Sequence, residues 1–75
     1  MMQFENDIMN LGQLMRDPDT QVAFNEAALQ IIEGQTSKML NDTPDRMQEY
    51  LGRIRQVREL MALQVSYLKG LLKDE

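Results

Sequence analysis

The chain has 75 residues, 12 acidic against 8 basic side chains, and neither cysteine nor histidine. That length allows one domain at most, near the size where a lone core becomes marginal, and no disulfide framework can compensate. The absence of histidine removes the commonest metal ligand and the commonest general base together, and a net charge of −4 disfavours broad binding of phosphate backbones.

A first helix is expected over about residues 3–16, where Phe4, Ile8, Leu11 and Met15 recur at helical spacing with Leu14 beside them. Asp17-Pro18 ends it, because proline disfavours a helical conformation in the residue before it. The same pair opens a second helix, over about 18–40: Asp17 suits the N-cap, Pro18 the first position, and Asp19 the first turn. Val22, Phe24, Ala27, Ala28, Ile31 and Ile32 form its apolar stripe, which Met39 and Leu40 extend. Gly34, followed by Gln35-Thr36-Ser37, is its weak point and the place for a kink or fraying. Asn41-Asp42-Thr43-Pro44 repeats the punctuation, with Thr43 or Asp42 as cap. So short a connection folds the second and third helices into an antiparallel hairpin.

The third helix, expected over about 44–73, carries the strongest pattern. Met47, Ile54, Met61 and Leu68 recur every seven residues, joined by Tyr50, Val57 and Leu71 three places on. From Met47 to Val57 the apolar residues fill roughly a third of the circumference, which one flat neighbour can bury. From Leu60 to Leu72 they span roughly 200°, which one neighbour cannot cover. Leu60, Met61, Gln64, Val65, Leu68, Leu71 and Leu72 are therefore the expected oligomer interface. Gln64 lies inside that arc. It fits either a partly exposed glutamine or a polar layer that pairs across a symmetry axis and fixes register.

Charge is uneven along the chain. Residues 1–45 set eight acids against Arg16 and Lys38, whereas residues 46–75 set six bases against Glu49, Glu59, Asp74 and Glu75. An acidic N-terminal half lying against a more basic C-terminal helix accounts for this. Arg46, Arg53, Arg55 and Arg58 form the one basic cluster. Glu49–Arg53 and Arg55–Glu59 have the spacing of i,i+4 pairs on a solvated face, so structural salt bridging is the first expectation and contact with an anion or partner the second. Aromatic residues do not interleave with the arginines, which disfavours nucleic acid.

Nothing points to catalysis. Asp17-Pro18-Asp19 and Asp42-Thr43-Pro44-Asp45 fit helix capping better than a calcium loop, and there is no phosphate-binding glycine loop or GxSxG elbow. No catalytic, cofactor or metal residues are assigned. The start, MMQFENDIMN, has acids and no early base, unlike a signal or transit peptide. No apolar run approaches the roughly 20 residues that cross a bilayer. A cytoplasmic chain with no membrane role is expected.

The segment Thr43-Pro44-Asp45 through Gly52-Arg53-Ile54-Arg55-Gln56-Val57-Arg58-Glu59-Leu60 resembles the C-terminal part of small phage- and prophage-encoded helical proteins. The resemblance implies a phage origin, an assembly or accessory role and a place in the host cytoplasm or the virion. It carries over no functional residue. The chain is thus expected to be all-α, a single domain over 1–75 with three helices, forming a helical bundle by associating with copies of itself. Two alternatives stay open: an acidic inhibitor of a host or phage protein, and a small DNA-binding regulator using the arginines of the third helix.

Overall fold

Three helices follow the apolar spacing, and the computed structural model describes their backbone over residues 2–73 and the side chains of residues 3–71. Helix α1 runs Met2–Met15, α2 runs Gln21–Leu40 and α3 runs Met47–Lys73. The architecture is all-α, with α2 and α3 as an antiparallel hairpin and α1 packed on both.

The punctuation works as the residue types dictate, with one refinement. Pro18–Thr20 and Pro44–Arg46 each form a single 3-10 turn, and the α-helices begin only at Gln21 and Met47. Asp17 accepts the amide of Asp19 at 2.9 Å, as an N-cap does. The Thr20 hydroxyl donates to the Leu14 carbonyl at 2.6 Å, which otherwise accepts only the longer contact from the Asp17 amide at 3.4 Å, and so closes the end of α1. At the second connection Asp42, rather than Thr43, supplies the side-chain contact. It accepts the Thr43 amide at 2.7 Å and the Tyr50 hydroxyl at 2.6 Å, which ties the loop to the second turn of α3.

Helix α2 does not break at Gly34. It continues to Leu40, and no glycine among the described residues has a positive φ. The penalty for glycine in a helix interior, about 1 kcal/mol, is outweighed because Ile31, Ile32 and Gln35 hold both flanks of Gly34 against the other helices.

Leu11, Phe24, Ala28 and Val57 are wholly buried, with Phe4, Ile8, Leu14, Ile31, Leu60 and Met61 packed round them. The core therefore draws one large side chain from each helix. Four expectations fail here, the first being Leu40, which is 77% exposed at the end of the α2 stripe. Val22 is 69% exposed, and Met47 and Leu51 also lie at the surface, although all four belong to predicted stripes. At about 100° per residue, Val22 sits some 160° round the helix from Phe24, so a face that buries Phe24 turns Val22 outward.

The body is long and thin. Its radius of gyration is 13.9 Å, with extents of 50 × 17 × 17 Å, whereas a compact chain of this length would have a radius near 11 Å. Helix α3 sets the length, since 27 residues extend about 40 Å. Arg53 of α3 meets Gln35 of α2. Counting away from that pair, Gln21 lies level with about position 67, so the last turn and more of α3 extends past the start of α2.

Candidate functional site

Burial sorts the expected interface into two groups. Leu60 and Met61 pack on the subunit's own core, and Gln64 is 1% exposed inside the same subunit. Leu68 is half-buried, while Val65 and Leu71 remain exposed. Leu72 lies outside the residues whose side chains are described. The centre of the 200° arc is thus already occupied by α1 and α2, and its two edges stay open.

One edge bears Leu63, Tyr67 and Leu71 at spacings of four, all exposed, next to Met15 and Arg16 at the end of α1. Leu63 and Tyr67 were absent from the expected interface, yet they are freer than Leu60 or Met61. The signal was present: Gln64 lies seven residues after Val57, on the line of the buried stripe, so its neighbours at 63 and 67 fall to one side.

The other edge joins a second set of exposed side chains. Val65, Met47 and Leu51 lie on the flank of α3 turned away from α1, and Val22, Leu29 and Leu40 lie on the corresponding flank of α2. Two marks fix the direction. Arg53 stacks over the Phe4 ring of α1, and Leu51 sits two residues, about 200°, from Arg53. Ala27 borders the groove that α1 makes with α2, and Leu29 sits two residues, about 200°, from Ala27. Together these residues line a seam along the outside of the hairpin. Leu29 is 52% and Leu40 77% exposed there.

Gln64 is the anomaly of the interior. Its Nε2 has no hydrogen-bond partner among the described residues, and a buried donor left unmade costs about 1–3 kcal/mol.

The arginines divide in the same way. Arg46 pairs with Asp42 and Glu49, each at 3.5 Å, and Arg53 with Glu49 at 3.0 Å. Arg53 also lies 5.6 Å from the centroids of both Phe4 and Tyr50, so it clamps α1 to α3 through cation–π contacts. Arg55 and Arg58 form no ion pair among the described residues; the expected Arg55–Glu59 pair is not made. Asp42 is held below its ordinary carboxylate range, first by the Tyr50 hydroxyl, then by the Thr43 amide and Arg46. The Tyr50 hydroxyl is correspondingly raised, chiefly by that hydrogen bond to Asp42.

Among the described residues no group of three or more acidic side chains converges as a metal site, and no helix is long and apolar enough to cross a membrane. No protein-family model, curated protein or solved structure matches this chain.

Proposed function

We propose that this chain is a non-enzymatic interaction protein that associates with copies of itself, α3 being the principal contact helix. The resemblance of residues 43–60 gives it an assembly or accessory role in a phage.

One observation carries the reading. The C-terminal half of α3 leaves Leu63, Val65, Tyr67 and Leu71 in water although α1 and α2 both pack against it. Single exposed apolar residues are ordinary, but several on the two edges of one helix half, on a body only 17 Å thick, mark an interaction surface. Burying each such side chain yields about 1.5–3 kcal/mol, so a few suffice to offset the entropy of association.

A DNA-binding regulator has less support. Arg46 and Arg53 are engaged by Asp42 and Glu49, which leaves Arg55 and Arg58 as the part of the cluster with no ion pair among the described residues.

Sedimentation equilibrium between about 1 and 100 μM tests the proposal. A mass above the 8.7 kDa of one chain is expected, and Val65→Asp should shift it toward the monomer. A wild-type monomer throughout that range would refute self-association. Duplex binding that weakens steeply with added salt would favour the regulator instead.

A further inference from the structure

We propose that the second copy seats on the outer seam between α2 and α3, with the twofold axis parallel to the helices, so that α2 of each copy covers α3 of the other. This rests on the self-association reading and adds to it the face and the symmetry.

The seam offers apolar contact along its whole length. With Gln35 level with Arg53, Val22 falls level with Val65 at one end and Leu40 with Met47 at the other, and Leu29 lies between. The 20 residues of α2 give the seam a length of about 30 Å. The other edge is confined to the end of α3, where Leu63 to Leu71 span only about 12 Å.

Charge selects the axis. The α2 side of the seam carries Glu26 and Glu33, both exposed. The α3 side carries Arg55, Arg58 and Lys69 against Glu59, all exposed, with no ion pair formed by these three bases among the described residues. A twofold axis across the helices would lay α2 on α2 and oppose acid to acid. An axis along them lays the acidic edge on the basic one, with Glu33 of each copy level with Arg55 of the other. Juxtaposed like charges disfavour the first arrangement, so the second prevails. It forms a four-helix layer in which every neighbouring pair is antiparallel, with α1 of each copy on the outside.

The experiment is sedimentation equilibrium on the full chain, with circular dichroism to verify that each variant stays helical. Leu29→Asp, at a site wholly outside the subunit core, should reduce the dimer to the monomer mass. Glu33→Arg should weaken the dimer at least about tenfold, and the double variant Glu33→Arg/Arg55→Glu should restore it. Tighter association of Glu33→Arg would overturn the axis, because an acid-on-acid contact would then have been relieved. A dimer that survives Leu29→Asp but is lost in Tyr67→Asp would overturn the seam and leave self-association standing. A wild-type monomer at 100 μM would overturn both.

Discussion

Replacing Gln64 by methionine should stabilise the fold, by an amount that follows from where the amide sits. Gln64 is 1% exposed, and its Nε2 finds no partner among the described residues. Methionine removes that orphan donor, whose burial costs about 1–3 kcal/mol. It is also unbranched and close to glutamine in length, so it neither opens a cavity nor forces the backbone to move. Volume-conserving exchanges in a core cost at most about 1.5 kcal/mol. The balance is a gain of about 1 kcal/mol, which for a domain of this size raises the Tm by about 4–8 °C. Gln64→Ala is the control. It removes the same amide but leaves a void, and it should lie about 2–5 kcal/mol below the methionine variant. Urea melts at one fixed protein concentration are required, because association adds a concentration-dependent contribution. A methionine variant less stable than the wild type would refute this account. If its mass fell as well, the missing partner of Nε2 would lie in a second chain, as in a polar layer that fixes register.

Gly34→Ala should stabilise α2 by about 0.5–1 kcal/mol in thermal melts, since an added Cβ meets nothing within 4 Å and the backbone is already helical; a loss would show that α2 bends there. Arg53→Ala should cost roughly 1–2 kcal/mol by urea titration, because two ring contacts and the link to Gln35 go together; an unchanged midpoint would show that α1 is held by its apolar face alone. The contact between Asp42 and Tyr50 should give pH-dependent stability. The folded-state pKa of Asp42 is depressed, so its contribution is present above the unfolded-state value and lost as pH falls through the folded one; that of Tyr50 is raised, so its contribution is lost only in strong alkali. Tyr50→Phe should accordingly lower the Tm near neutrality and converge with the wild type in acid, and parallel curves down to about pH 2 would contradict it.

The connections were legible because their physics is local. Asp17-Pro18 and Thr43-Pro44 restrict backbone angles within two residues, whatever packs around them. The position of the core on α3 was legible too, since Tyr50, Ile54 and Val57 repeat at helical spacing and are the residues buried there. Spacing does not reveal how much of an apolar arc the chain itself will use. Leu60, Met61 and Gln64 belong to the same arc as Val65 and Leu71, and only the approach of α1 and α2 from adjacent directions separates them. The stacking of Arg53 on Phe4 joins residues 49 positions apart, so no sequence window contains it, whereas its contact with Tyr50 is a local i,i+3 pair.

The pattern of helix α2 is the strongest argument for the proposed second copy. A helix that packs on one side of a globule carries a polar stripe opposite its apolar one. Helix α2 instead sets Phe24, Ala28 and Ile31 on one side and Val22, Leu29 and Leu40 on the other. Residues that are apolar on both sides of a helix fit a helix covered on both sides. One cover is present as α1 and α3; the other has no counterpart among the described residues. The exposed flank of α2 cannot be explained as spare length, as the end of α3 might be, because it runs beside the hairpin's full contact with α3. In the proposed dimer, a second hairpin laid on that flank would satisfy the pattern of α2 and of α3 together.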